Sequence, residues 1–128
     1  MPILNADFAV RFAQDWIAAW NQHDLEAILS HYADDLELSS PLIPAIAAVP
    51  SGILQGKAAV RAYWEKGLAQ IPDLHFELRG VLPGIDSLTL YYQGHRGPVA
   101  EVLWFNAAGK VQQAAVYYAI DFPNLTDP

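Results

Sequence analysis

The second half of the chain, from Leu74 to Ile120, is a succession of β-branched and aromatic runs separated by turn sequences. The first run, Leu74–Arg79, alternates strictly between apolar and polar residues, which predicts a strand with one buried face. Three further strands are predicted at residues 87–93, 99–106 and 111–120. Strands joined by short turns favour an antiparallel sheet, and the rest of the chain must cover one of its faces.

The first part of the chain has the periodicity of a helix. Phe8, Phe12, Trp16 and Trp20 recur at every fourth residue and therefore form one apolar stripe. Asn5 precedes the stripe and is a suitable N-cap, because its side chain can accept a hydrogen bond from a free backbone N–H. The spacing thus predicts a helix that lays its aromatic side on the sheet.

The remaining elements follow in order. Asp24 is expected to cap a second, shorter helix, residues 36–39 to form a short strand, and residues 57–70 to form a third helix. Residues 41–56 combine three prolines with many apolar side chains, which predicts an irregular segment packed over a pocket mouth or a partner subunit. We therefore predict one α+β domain over residues 1–128, with three helices packed in a curved, mixed or antiparallel sheet.

Composition and charge exclude several classes of protein. The chain has 128 residues, of which 53% are apolar and only 16% charged, so an internal cavity or a subunit interface is expected to absorb the surplus. The net charge of −7 argues against nucleic-acid binding, and the absence of cysteine excludes disulfides and zinc–thiolate sites. The sequence shows neither a signal peptide nor a membrane-spanning run, so a soluble, cytoplasmic protein without membrane contact is expected.

The sequence contains no pattern typical of a metal or cofactor site. His23, His31, His75 and His95 are scattered, and no pair has the spacing of metal ligands. Gly-x-Ser-x-Gly, Gly-x-Gly-x-x-Gly and phosphate-loop motifs are all absent. We therefore predict neither a metal nor a cofactor.

Three segments carry a family resemblance: residues 16–35 (WIAAWNQHDLEAILSHYADD), 56–64 (GKAAVRAYW) and 101–111 (EVLWFNAAGKV). They resemble the SnoaL-like and ketosteroid-isomerase-like group of the nuclear-transport-factor-2-like superfamily. The resemblance implies a cone, in which a bent sheet encloses a deep apolar pocket, and usually a homodimer. The outer sheet face would form the dimer contact, around Tyr91, Val102, Trp104 and Tyr117.

The resemblance assigns only part of the isomerase machinery. Glu101 falls at the position of the carboxylic acid that helps to form the oxyanion hole of ketosteroid isomerases. Trp16 stands where those enzymes have a phenol, and Ser40, before Pro41, stands where they have the aspartate base. The last strand also lacks the acid that cyclases and epoxide hydrolases of the superfamily use. Steroid isomerisation is therefore not expected of this chain.

The strand pattern points to Glu101 independently. This carboxylate lies between Val99 and Leu103 and, if the alternation holds, shares their inward face. Burial without a counterion raises a carboxyl pKa by up to roughly 3–5 units, which would make Glu101 an acid or base at neutral pH. Two alternatives are that Glu101 faces solvent and that it pairs with Arg61 or Arg79.

Two functions remain open on the sequence alone. Ligand-binding residues are expected on facing elements, several of them at pocket positions of the isomerases: Trp16, Trp20, Tyr32, Ser40, Tyr63, Trp64, Leu90, Tyr92, Leu103, Val116 and Tyr118. Such a pocket suits a small hydrophobic, cyclic, carbonyl-bearing molecule. The protein is then either an isomerase, cyclase or lyase that uses Glu101, or a non-catalytic module for small-molecule binding or dimerisation.

Overall fold

The structure, a computed structural model, describes residues 5–120. Within this range four helices form: α1 (Ala6–Asn21), α2 (Leu25–Leu29), α3 (Ile43–Ala47) and α4 (Lys57–Gln70). The same range contains six strands: β1 (Tyr32–Ser39), β2 (Ile53–Gln55), β3 (Glu77–Pro83), β4 (Ser87–Gly94), β5 (Gly97–Phe105) and β6 (Val111–Tyr118). Helices dominate the first half and strands the second, which confirms the predicted α+β class.

The first helix forms as predicted. The Oδ1 atom of Asn5 accepts a hydrogen bond from the backbone N–H of Phe8 at 2.8 Å. Phe12, Trp16 and Trp20 are all buried, because their spacing places them on the helix face that packs on the sheet. In the described part of the chain, no helix has the length and apolar composition needed to cross a lipid bilayer.

The six strands form one mixed sheet in the order β2-β1-β6-β5-β4-β3. β1 and β6 run parallel, with Tyr32 opposite Val111, and all other neighbouring strands are antiparallel. The register shifts between Trp104 and Phe105 in the β5–β6 pair, an irregularity of the kind that bends and twists a sheet. The bent sheet wraps around the helices as the predicted cone requires.

The two faces of the sheet differ in composition and burial. Leu88, Leu90 and Leu103 point toward the helices and have no exposed surface. On the opposite face, 44% of the Tyr91 surface and 56% of the Tyr117 surface remain exposed. The hydrophobic core therefore lies between the helices and the concave side of the sheet.

The segment from residue 41 to residue 56 is more regular than predicted. It contains α3 and also β2, which pairs with β1. Pro44 occupies the first turn of α3, where no intrahelical partner exists for the N–H that proline lacks. The prolines therefore allow a short helix here instead of preventing one.

Two strand boundaries also differ from the prediction. β1 begins at Tyr32 instead of residue 36, because pairing with β6 extends it toward α2. β3 runs from Glu77 to Pro83, whereas the alternating pattern predicted a strand from Leu74 to Arg79. A proline is tolerated there because β3 is an edge strand and has only one neighbour to bond.

Candidate active site

A cavity of about 110 Å³ lies between α4, the segment that contains α3, and the concave face of the sheet. Eight residues predicted for the site line it: Trp20, Ser40, Tyr63, Trp64, Tyr92, Glu101, Val116 and Tyr118. They come from α1, α4 and three strands, and from the residue that follows β1. The fold thus gathers on one cavity side chains that are far apart in the sequence.

Four residues predicted for the site lie elsewhere: Trp16, Tyr32, Leu90 and Leu103 do not line the cavity, and all are buried in the packed core. The Nε1–H group of Trp16 donates a hydrogen bond to the Tyr32 hydroxyl at 3.0 Å. The polar side-chain atoms of Trp16 and Tyr32 therefore satisfy each other's hydrogen bonding. The pattern of buried residues identified these four correctly as inward-facing, but the cavity ends before it reaches them.

Sequence reasoning missed eight lining residues: Leu38, Leu42, Ile46, Gly67, Leu68, Ile71, Leu74 and Phe76. Leu42 and Ile46 belong to the apolar 41–56 segment, whose composition had predicted packing over a pocket mouth or a partner. Leu74 and Phe76 belong to the alternating run before β3, and that alternation was the available signal for an inward direction. Seven of the eight missed residues have apolar side chains, the exception being Gly67.

Glu101 is the one carboxylate among the residues that line the cavity. It lies on β5 between Leu90 of β4 and Val116 of β6, and only 4% of its surface is exposed. Val99 and Leu103, two residues away on either side, are buried on the same face. The inward direction follows from this alternation, because successive side chains of a strand point to opposite faces.

Among the described residues, the carboxyl of Glu101 has a neutral hydrogen-bond partner and no cationic partner. The hydroxyl of Tyr92 donates a hydrogen bond to its Oε1 at 2.8 Å. Arg61 pairs with Glu26 and Arg79 lies near Glu77, so neither is the partner that an ion pair would have required. Burial therefore raises the pKa of Glu101 to about 7, although the bond from Tyr92 acts in the opposite direction.

A second polar group lines the same cavity. The hydroxyl of Ser40 interacts with the phenols of Tyr63 and Tyr118 and lowers the pKa of each. Burial has the larger effect and raises both values, that of Tyr118 to about 12. Burial also raises the pKa of Tyr92. All three phenols therefore stay protonated at neutral pH and are able to donate hydrogen bonds to a ligand.

Aromatic rings form the inner wall. The rings of Trp20 and Trp64 meet edge to face, with centroids 5.2 Å apart, and Phe76 packs on Trp20 at 5.5 Å. The Nε1 atom of Trp20 is buried and has no hydrogen-bond partner among the described residues. Flat apolar walls of this kind suit a ring-shaped ligand.

The arrangement does not resemble a metal centre. Within residues 5–120, no three histidine, aspartate or glutamate side chains lie close enough together to hold a metal ion. The cavity instead combines one carboxyl that titrates near neutral pH with several neutral hydroxyl donors. That combination is chemically suited to moving a proton in a dry environment.

The fold and this cavity define a small α+β cone with a polar group at the inner wall. Residues 13–122 match the SnoaL-like domain family, and the chain belongs to that family. A comparison with curated proteins found no significant match.

Solved structures agree with this assignment. A SnoaL-like protein of unknown function from Burkholderia thailandensis is 50% identical and superimposes with a TM-score of 0.88, over 93% of this chain and 99% of that one. AclR, a proposed hydroxylase from Streptomyces galilaeus, is 22% identical, with a TM-score of 0.69 over 88% and 90% of the two chains. A proposed isomerase of the SnoaL-like family from Agrobacterium tumefaciens is 16% identical, with a TM-score of 0.67 over 86% and 96%. The last two similarities support the fold alone.

Proposed function

We propose that this protein binds a small cyclic, carbonyl-bearing molecule and catalyses a proton transfer with Glu101, as an isomerase, cyclase or lyase. The observation that carries the proposal is the carboxyl of Glu101 itself, buried at the cavity wall without a counterion. A pKa of about 7 gives this group comparable amounts of acid and base at neutral pH, where proton transfer is most effective.

The size of the cavity limits the substrate. An engineered protein cavity of about 150 Å³ accommodates benzene, so a cavity of about 110 Å³ accommodates roughly one small ring unless the ligand extends beyond it. A four-ring steroid would not fit inside. This agrees with the loss of the isomerase base and phenol at Ser40 and Trp16.

The chemical steps use groups that face the cavity. The ionised carboxylate of Glu101 removes a proton from the carbon next to the substrate carbonyl, and the electron pair of the C–H bond moves to the carbonyl oxygen. A hydroxyl of Tyr63 or Tyr118 donates a hydrogen bond to the oxyanion that forms. The electron pair of the oxyanion then re-forms the C=O bond, and protonated Glu101 gives its proton either to the far carbon of the shifted double bond or to a leaving group whose bond to the β-carbon breaks. Both routes regenerate the carboxylate.

Kinetics with a β,γ-unsaturated cyclic ketone such as cyclohex-3-enone test this proposal, because migration of the double bond changes the ultraviolet absorbance. The Glu101→Gln variant keeps the shape and loses the proton acceptor, so its kcat is expected to fall by about 100-fold or more. Glu65→Gln, the same change at an exposed position of α4, is the matched control. If Glu101 acts first as the base, kcat/KM rises with pH to a plateau with a midpoint near 7. Equal rates for wild type and Glu101→Gln would refute the catalytic role.

A second function, non-catalytic binding of the same kind of molecule, is favoured by one observation. Ser40 occupies the position of the missing base, and the groups that interact with it, Tyr63 and Tyr118, are protonated phenols that do not activate it. Native mass spectrometry of the purified protein separates the two functions. A co-purifying ligand that is retained unchanged on incubation supports binding, whereas its conversion supports catalysis.

We also propose that the chain forms a homodimer through the outer sheet face, where Tyr91 and Tyr117 are exposed beside Val102 and Trp104. A monomeric domain of this size does not need to leave two tyrosines of one face uncovered. Sedimentation at several micromolar concentrations tests the proposal. A single monomeric species throughout would contradict it.

A further inference from the structure

A second, smaller cavity of about 80 Å³ adjoins the one that contains Glu101. The two share six lining residues: Leu42, Ile71, Leu74, Phe76, Tyr92 and Tyr118. The additional wall comes from the hairpin between β4 and β5, which includes His95 and Arg96. We call this smaller cavity the vestibule, because His95 and Arg96 are exposed and mark its outer side.

Among the described residues that line the two cavities, Arg96 is the only lysine or arginine. It has no carboxylate within salt-bridge distance among residues 5–120, as is also true of Arg11, Lys66 and Lys110, but those three line neither of the two cavities. The chain carries a net charge of −7, so carboxylates are abundant. A guanidinium that has no carboxylate partner among the described residues and lies beside a cavity is available to a ligand.

The charge of Arg96 affects Tyr118, which lines the cavity that contains Glu101. It lowers the pKa of Tyr118, against the larger effect of burial, so its electrostatic field acts on a phenol that lines both cavities. Tyr92, which also lines both, holds Glu101 at the far end. The wall therefore runs from a carboxyl at the inner end, past two phenols, to a cation at the outer end.

We propose that the ligand carries a carboxylate at the end opposite its reacting carbonyl, and that Arg96 binds this carboxylate in the vestibule. This inference rests on the proposed function and narrows its substrate class to small cyclic oxo acids. An anionic group placed at the inner end would meet Glu101, whereas at the outer end it meets a planar guanidinium that pairs with carboxylates through two parallel hydrogen bonds. A cationic ligand group would be repelled at the same position.

Two probes that differ only in charge test the inference: 3-oxocyclohexanecarboxylate and its primary amide. Binding is measured by titration calorimetry or by fluorescence, since Trp20 and Trp64 line the inner cavity. Wild type is expected to bind the carboxylate about fivefold more tightly than the amide, the size of a partly exposed ion pair. The preference should shrink as salt is added.

The Arg96→Gln variant is expected to lose this preference and to bind the amide as wild type does. Arg79→Gln, which removes the same charge from an exposed residue that lines neither cavity, should keep the preference. An unchanged preference in Arg96→Gln, with amide binding intact, would overturn this inference and leave the proposed function standing. If wild type binds neither probe, both are overturned.

Discussion

Trp16 and Trp20 lie one turn apart on α1, and both are buried, but they belong to different parts of the interior. The indole N–H of Trp16 donates to the Tyr32 hydroxyl, and neither residue lines the cavity that contains Glu101. The indole of Trp20 lines the cavity, and its N–H lacks a hydrogen-bond partner among the described residues. The indole N–H group is therefore satisfied by a neighbouring side chain in the packed end of the cone, whereas in the cavity end it has no partner among the described residues.

The same contrast occurs on β5. Leu103 is fully buried in the packed end, and two residues earlier on the same face Glu101 exposes an ionisable group to the cavity. A carboxyl in that position disfavours folding whenever it is charged. The comparison teaches that the packed end stabilises the fold, whereas the cavity end contains an ionisable group that lowers stability when it is charged.

The largest expected effect is the loss of folding stability when the buried carboxyl of Glu101 becomes charged. The folded protein keeps a proton on Glu101 up to a pKa of about 7, whereas the unfolded chain loses it near the ordinary value of 4.5. Between these values the folded state binds more protons, so its free energy of unfolding falls as the pH rises. Above pH 7 the cost reaches about 3 kcal/mol, at roughly 1.4 kcal/mol per unit of pKa.

Glu101→Gln is therefore expected to be more stable than wild type by about 3 kcal/mol at pH 8 and by much less at pH 4.5. Urea unfolding at the two pH values measures the difference. Glu65→Gln, at an exposed position, should show no such gain. If the difference in free energy of unfolding between Glu101→Gln and wild type did not change with pH, a charged Glu101 would not destabilise the fold.

The next effect compares the two tryptophans directly. Trp16→Phe removes the donor that bonds to Tyr32 and leaves a space in the packed end, so we expect a loss of about 2 kcal/mol. Trp20→Phe removes an N–H without a partner and enlarges an existing cavity, so we expect a loss below about 1 kcal/mol. Chemical unfolding of the two variants measures both losses of stability. Equal losses would remove the distinction between the two ends.

The smallest effect concerns Tyr92. Tyr92→Phe removes the hydrogen bond that favours the ionised form of Glu101, so the pKa of Glu101 should rise above 7. Above that pH, stability should fall by about 1 kcal/mol, the value of one buried hydrogen bond. Infrared or NMR titration of the carboxyl measures the shift. A pKa that stays the same or falls would mean that the Tyr92 hydroxyl does not stabilise the carboxylate.

Much of the fold could be predicted from periodicity, because the aromatic stripe of α1 and the alternation around Glu101 are local patterns that packing preserves. The start of β1 could not, since it depends on pairing with β6, a partner far along the chain. The short helix α3 was not predicted because a proline usually indicates the end of a helix. Only the structure shows that Pro44 lies in the first turn, where a proline is tolerated.

The site was predictable only in part, for a different physical reason. A buried aromatic such as Trp16 and one that borders a cavity, such as Trp20, have the same sequence signature. What separates them is how far neighbouring side chains fill the interior, and that depends on residues such as Ile46 and Phe76 from distant elements. Glu101 was identifiable because a single carboxylate stands out in an apolar strand, whatever fills the space around it.

The position of β6 in the sheet affects when the chain can fold during its synthesis. The last of the described strands lies between β5 and the first strand, β1, so it joins two parts of the sheet that are otherwise unconnected. Until residues 111–118 leave the ribosome, β1 has only the short β2 to pair with, and the strands from β3 to β5 form a separate meander. Assembly of the cone therefore has to wait until β6 has been synthesised, and until then a nascent chain exposes its future cavity wall.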